Sequence, residues 1–314
     1  MSTKRLKFFA GNSHPELAKM LAKKIGIKIS PQELKKFSNG EIYFRPLESV
    51  RGCNVFILQT ASDHVNQDLM ELFLMLDSLK RSFASTIHVV MPHYGYARQD
   101  RVAYPREPIS AKLMADLISK AGADHLITLS LHSGQTQGFF DFPVDNIHTH
   151  KIFYNYFKKK KLKNLVVVSP DAGGGKAAKR LADPLGVEIA IINKSRPEHN
   201  KVEVMSVVGD VKGKTCVIFD DMIDTGGSVV AAHEALIKAG ANKDIYLAAT
   251  HAVFSGPCVE RLKKVKFKEV VVTDTIPIPK EKQFLGLKVI SVAPVLSEAI
   301  KCIYEGRSVS GIWE

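Results

Sequence analysis

Residues 217–228 read VIFDDMIDTGGS. The apolar start of this stretch predicts a buried parallel strand. Asp220 and Asp221 stand at its carboxyl end. Asp224, Thr225, Gly226, Gly227 and Ser228 then lead into a helical pattern, VVAAHEALIKAG. In an open α/β sheet, ligands bind beyond the carboxyl ends of the strands. Glycine lets backbone approach a phosphate closely, and the start of a helix offers free N–H groups to it. Adjacent carboxylates beside such a loop suit ribose hydroxyls or a hydrated Mg²⁺. The combination points to a site for a ribose phosphate. The plainer alternative is a tight strand-to-helix turn with a solvated acidic edge.

Similar apolar runs recur on both sides of this stretch. VFILQ at 55–59, IHVVM at 87–91 and LITLSL at 126–131 read as strands in the first half. LVVVS at 165–169, IAII at 189–192, CVIF at 216–219, IYLAAT at 245–250 and EVVVT at 269–273 do so in the second. Helical periodicity lies between several of them, notably at Asn66–Ser82 and at Ala111–Ala121, the latter with Ser110 as its expected cap. Ser13 and Glu16 form a capping-box pattern with Pro15 in the first turn, and Gly26 can end that helix. Alternating strands and helices predict parallel sheets covered on both faces. The pattern lapses over residues 143–163, the expected joint between domains 1–150 and 151–314.

The chain has 314 residues, enough for two domains of about 150 each, and 45% of them are hydrophobic. No apolar run approaches the ~18 residues of a membrane span. The opening MSTKRLKFFAGNSHPELAKM has too short an apolar stretch for a signal peptide, so a cytoplasmic address and no membrane partner are expected. Cys53, Cys216, Cys258 and Cys302 have no metal-type spacing and read as reduced, buried thiols. The net charge of +12 suits nucleic acid or several phosphates. Its main runs, KKKKLK at 158–163 and RLKKVKFK at 261–268, lack aromatics spaced for base stacking, so no nucleic-acid partner is expected.

The stretch 93–108, HYGYARQDRVAYPREP, has no period of either kind and is too long for an ordinary connection. It carries Arg98, Arg101 and Arg106 with Tyr94, Tyr96 and Tyr104. Guanidinium groups grip phosphates bidentately, and aromatic or guanidinium planes can stack on a purine.

The 217–228 stretch resembles the ribose-phosphate signature shared by phosphoribosyltransferases and ribose-phosphate pyrophosphokinases. Further runs extend the resemblance to the second family over nearly the whole chain. They are FSNGEIYFRPLESVRG at 37–52, HYGYARQDR at 93–101, LHSGQTQGFFDFPVD at 131–145, VSPDAGGGKAAKRLAD at 168–183, NKSRP at 193–197, DDMIDTGGS at 220–228 and HAVFSGPCVERL at 251–262. The resemblance implies an α/β protein with two type I phosphoribosyltransferase-like domains, each with a mainly parallel sheet flanked by helices. It also implies Mg-dependent transfer of the diphosphoryl group of ATP to the anomeric hydroxyl of ribose 5-phosphate, giving 5-phosphoribosyl 1-diphosphate and AMP.

Carried over residue by residue, the resemblance makes His132 and Asp171 ligands of the Mg²⁺ that accompanies ATP. Phe37, Asn39, Glu41, Arg98 and Gln99 match nucleotide-binding positions, and the Phe37 segment serves a neighbouring subunit. Lys194 and Arg196 match a basic catalytic loop over the reacting phosphates. Asp220, Asp221, Asp224, Thr225, Gly226, Gly227 and Ser228 match the ribose 5-phosphate site. Ser49, Arg51, Ser308 and Ser310 match positions that, in the phosphate-activated class, form a regulatory anion site between subunits. Self-association through a dimer unit to a hexamer is implied as well. The chain departs from the family at Val102–Pro105, where basic residues are usual, and at Ser130, where an acid commonly stands. A non-catalytic relative would be expected to lose Lys194, Arg196, His132 or Asp171, and all four are present.

Overall fold

The computed structural model describes residues 5–195 and 204–313. In chain order the elements are β1 (Leu6–Ala10), α1 (Pro15–Ile25), β2 (Gln32–Lys36), β3 (Ile42–Pro46), β4 (Asn54–Leu58), α2 (Val65–Arg81), β5 (Thr86–Met91), α3 (Ser110–Ala121), β6 (His125–Leu129) and β7 (Val144–Ile147). They continue with α4 (His150–Lys160), β8 (Leu165–Ser169), α5 (Gly175–Leu185), β9 (Glu188–Ser195), β10 (Val204–Val208), β11 (Thr215–Ile223), α6 (Gly227–Lys238), β12 (Tyr246–Ala252), α7 (Cys258–Val265), β13 (Glu269–Thr273), β14 (Leu287–Ile290), α8 (Ala293–Tyr304) and α9 (Ser310–Trp313).

The chain divides into two compact units. The first runs to His148 and takes back Thr275–Pro277 and everything from Ser291 onward; the second holds Thr149–Asp274 and Ile278–Ile290. The chain therefore leaves the first unit two residues before the expected boundary and returns to it twice.

The first unit has a five-stranded sheet, β1-β4-β5-β6-β7, parallel throughout. Its strands read as apolar runs because both faces are covered. Val55, Ile57, Val89 and Met91 join Leu72 and Met75 of α2 and Ile118 of α3 in one core. β2 and β3 form a separate antiparallel hairpin whose Phe44 lies edge-on to Phe9 at 6.0 Å. The β2 sequence, QELKK, is largely half-buried or exposed and carries no apolar period that marks a strand.

The other face of this sheet carries a polar ladder across β5, β6 and β7. His88 stacks on Phe56 at 4.4 Å, its Nδ1 faces His125 Nδ1 at 3.2 Å, and its Nε2 lies 3.2 Å from Thr86 Oγ1. His125 Nε2 is 3.1 Å from Asp145, and Thr86 Oγ1 donates to Asn54 at 2.8 Å. Only one proton fits between the two Nδ1 atoms. Burial first, and the neighbouring His125 second, hold the His88 imidazole down at about 4, against ~6.5 in an unfolded chain. The unfolded state thus binds the extra proton between those values. The stability gained from keeping His88 neutral is complete above ~6.5 and is lost as pH falls toward 4, by roughly 3 kcal/mol. Denaturant unfolding at pH 7 and pH 5 should show a smaller drop in His88→Gln than in wild type. Equal pH slopes would refute this.

The second unit has a seven-stranded sheet, β10-β9-β8-β11-β12-β13-β14, parallel except for β10. Alternate residues on its strands face opposite layers. Val167, Val217, Ala248 and Val271 pack on Phe153 and Phe157 of α4 and Leu181 of α5. Val166, Ile218, Leu247 and Ala249 pack on Ala232 and Leu236 of α6 and Leu262 of α7.

Three expectations are corrected. The pattern does not lapse over 143–163: the stretch forms β7 and α4, with Phe153 and Phe157 buried four residues apart on one helix face. The cap of α1 is His14, whose Nδ1 accepts from Leu17 N at 3.3 Å. Ser13 is committed elsewhere, donating to Gln59 Oε1 at 2.6 Å and accepting from Thr60 N at 2.9 Å. Ser110 is the first residue of α3 rather than its cap, and its hydroxyl donates to Gln99 Oε1. Gly26 does end α1 in the left-handed conformation, at φ 86°.

Candidate active site

Strand order in the second sheet reverses between β8 and β11: β9 and β10 lie to one side, β12 to β14 to the other. A topological switch point of this kind opens a crevice at the carboxyl ends of its two strands. Pairing between β8 and β11 ends at Ile218↔Val168, whereas β11 continues beside β12 through Asp220↔Ala249 to Ile223↔Ala252. Asp220 and Asp221 therefore lie past the last β8 pair, at the crevice. Asp171 follows β8 on the other side of it.

The charges of this group act on one another. The Asp220 carboxyl is pushed well above the usual carboxylate range, first by burial, then by the Asp221 charge, with Asp171 contributing. Asp221 N donates to Asp220 Oδ1 at 2.8 Å. Asp171 Oδ1 accepts from Gly174 N at 2.9 Å, and Ser169 Oγ donates to the Asp171 carbonyl at 2.6 Å, which shapes the turn into α5.

Gly226 immediately precedes α6 and takes φ 76°, a left-handed backbone that glycine adopts without strain. Phe254 N and Ser255 N donate to the carbonyls of Ile223 and Asp224 at 3.0 and 3.1 Å. With these carbonyls tied behind the loop, the free N–H groups of the first α6 turn and the exposed Thr225 and Ser228 are left for an anion. A Cβ at Gly226 would lie 3.1 Å from Cys258 Sγ. The Cys258 thiol is buried and pushed up to about 12 by burial and by Asp224, so it packs against the loop as an inert wall. Gly226→Ala should destabilise the unit by ~1–2 kcal/mol through the left-handed backbone alone, read as a lower Tm. An unchanged Tm would show that the loop relaxes freely.

Lys194 lies on β9, one strand out from β8, paired in register with Met205. Arg196 lies outside the described residues.

In the first unit, Arg98 and Gln99 sit in the long connection after β5, and His132 follows β6. β5 and β6 are parallel neighbours, so all three leave the same sheet end. Gln99 anchors that connection, since its carbonyl accepts from Ala111 N at 3.1 Å. Tyr94, expected to be available for stacking, is instead core: it is buried, with its hydroxyl on the Ala111 carbonyl at 2.8 Å. Phe37, Asn39 and Glu41 form the exposed turn of the β2–β3 hairpin, where Asn39 Oδ1 accepts from Glu41 N at 3.1 Å. Phe37 is 45% exposed, with Lys35 Nζ over its ring at 5.7 Å and the Tyr43 ring centroid 5.9 Å away. Ser49 and Arg51 lie between β3 and β4, with Arg51 over the Phe83 ring at 5.0 Å. Ser308 Oγ donates to Ser310 Oγ at 2.9 Å just before and within α9.

Among the described residues no group of three or more His, Cys, Asp and Glu side chains forms a metal cage. Mg²⁺ needs none, because it keeps several waters and takes one or two carboxylates plus substrate phosphates. Asp171, just past the carboxyl end of β8, supplies one carboxylate of that kind. No helix of the described residues is long and apolar enough to cross a membrane.

Residues 6–122 match the family model for the N-terminal domain of ribose phosphate pyrophosphokinase, and residues 197–314 match that for the phosphoribosyl synthetase-associated domain. The ribose-phosphate pyrophosphokinase of Oceanobacillus iheyensis is 49% identical over 309 residues, covering 98% of this chain and 97% of its own. The chain belongs to the ribose-phosphate pyrophosphokinase family. It is therefore an enzyme, a ribose-phosphate diphosphokinase. The Caldanaerobacter subterraneus ribose-phosphate pyrophosphokinase is 51% identical over 312 residues, covering 99% of this chain and 98% of its own. The crystal structure of phosphoribosylpyrophosphate synthetase from Mycobacterium smegmatis superposes with a TM-score of 0.92 at 46% identity, covering 96% of this chain and all of the other. His132, Asp171, Lys194 and Arg196 fall between the two family-model matches, within the span of the full-length relatives.

Proposed function

We propose that the enzyme transfers the diphosphoryl group of ATP to the anomeric hydroxyl of ribose 5-phosphate, releasing AMP and 5-phosphoribosyl 1-diphosphate. The full-length relatives support this reading over a phosphoribosyltransferase, and the switch-point loop, an anion-binding helix start directly beside paired carboxylates, supports its sugar-phosphate half. N–H groups of the first α6 turn, with the Thr225 and Ser228 hydroxyls, hold the 5-phosphate across Gly226 and Gly227. Asp220 and Asp221 accept from the ribose 2- and 3-hydroxyls, and Asp224 lies toward the reacting end of the sugar.

On the nucleotide side Phe37 stacks on adenine, Asn39 and Glu41 meet its polar edge, and Arg98 with Gln99 meets the phosphates. Lys194 and Arg196 neutralise charge on the moving group. His132 and Asp171 would hold Mg²⁺, which supplies charge neutralisation on the ATP phosphates when bound. The Phe37 turn serves a neighbouring subunit in a dimer unit that builds a hexamer. Ser49, Arg51, Ser308 and Ser310 hold a regulatory anion at a subunit boundary, and the enzyme works in the cytoplasm as part of nucleotide biosynthesis.

Incubation with ATP, Mg²⁺ and ribose 5-phosphate tests the reading. AMP and 5-phosphoribosyl 1-diphosphate should appear in equal amounts. Formation of ADP and a ribose bisphosphate would overturn it. Consumption of added 5-phosphoribosyl 1-diphosphate with a base would assign a phosphoribosyltransferase instead.

A further inference from the structure

Three consecutive carbonyls of the phosphate loop are tied from behind by one short segment. Phe254 N takes the carbonyl of Ile223 at 3.0 Å, Ser255 N that of Asp224 at 3.1 Å, and the Arg261 guanidinium Nη1 that of Thr225 at 2.9 Å. The first two are main-chain bonds that any residue type could make. The third depends on one side chain, reaching from α7 across 36 positions of sequence. Thr225 is the pivot of the loop, because the next residue is the left-handed Gly226 and the one after begins α6. A Cβ at Gly227 would lie 3.7 Å from Arg261 Nη1, so the guanidinium lies against this glycine as well as on the Thr225 carbonyl.

We infer that Arg261 is a positioning residue for the phosphate of the sugar substrate. It turns the Thr225 carbonyl away from the site and thereby keeps the following N–H groups pointed at the phosphate. A carbonyl free to rotate forward would place a negative dipole against a dianion, where the helix start otherwise presents positive charge. The same guanidinium adds a full positive charge behind the loop. Lysine would keep the charge without the planar fork, and glutamine would keep an N–H donor without the charge. The ligand class recognised through this device is a phosphomonoester, here ribose 5-phosphate; the inference rests on the reading given under Proposed function.

The test is steady-state kinetics on the full-length enzyme and its Arg261→Ala, Arg261→Gln and Arg261→Lys variants, with ATP and ribose 5-phosphate varied separately. In Arg261→Ala the KM for ribose 5-phosphate should rise at least about tenfold, the equivalent of ~1.4 kcal/mol, while the KM for ATP stays at its wild-type value. Arg261→Gln and Arg261→Lys should each recover part of that loss. A residue that only supports folding would move both KM values together or change kcat alone, and either result would overturn the inference. So would a wild-type KM for ribose 5-phosphate in Arg261→Ala. If the wild-type enzyme makes no 5-phosphoribosyl 1-diphosphate, the functional reading itself has failed, which is a separate and prior outcome.

Discussion

Lys194→Ala should cut kcat about a hundred- to a thousandfold, the loss typical of removing one group that stabilises charge developed in the transition state. Lys194 lies on β9 two residues past its apolar run, one strand from the switch-point crevice, with its backbone paired in register with Met205 of β10. The proposed diphosphoryl transfer would build charge on the oxygen that leaves with AMP and on the moving group. A cation that meets this charge only as it develops lowers kcat when removed and leaves ground-state binding largely intact. KM values for ATP and ribose 5-phosphate should therefore change far less than kcat. Arg196→Ala carries the same expectation from the resemblance of NKSRP. Wild-type turnover in Lys194→Ala would remove it from the chemistry, and a raised KM with unchanged kcat would make it a binding residue only.

Asp220→Asn and Asp221→Asn should each raise the KM for ribose 5-phosphate about ten- to a hundredfold, since a hydrogen bond to a charged group commonly contributes ~1.5–3 kcal/mol. ATP should be spared. Stability should move the other way for Asp220. Its carboxyl is held well above the usual range by burial and by the charge of Asp221, so a neutral amide of the same shape relieves an unfavourable burial. Asp220→Asn should thus keep or raise Tm while losing sugar affinity, a stability–function trade typical of a preorganised site. Separate titrations of the two ligands, together with thermal unfolding, decide this. A fall in ATP affinity with sugar affinity intact would place the acids at the wrong substrate.

The sequence by itself determined the α/β class and the parallel sheets, and it holds every residue of the proposed phosphate loop in one run. Strands buried on both faces read as continuous apolar runs, as at Val55–Leu58, Leu165–Ser169 and Tyr246–Thr250. The acids, glycines and hydroxyls of 220–228 are adjacent in the chain, so their grouping needs no fold to be seen. Local pattern could not show β2, whose polar residues carry no strand period, nor α4, whose KKK end masks the two buried phenylalanines before it.

Partner choice across long separations was decided only by the tertiary structure. Ser13 has the right spacing to cap α1, yet it bonds Gln59, 46 positions on, and His14 caps in its place. Tyr94 looked free to stack on a base, yet α3 takes its hydroxyl and closes it into the core. The reversal of strand order that opens the crevice between Asp171 and Asp220, and the reach of Arg261 to Thr225, belong to the same class. Hydrophobic periodicity and turn chemistry act within a few residues. Which buried polar group satisfies which other depends on packing that brings distant segments together, and that information exists only in the folded chain.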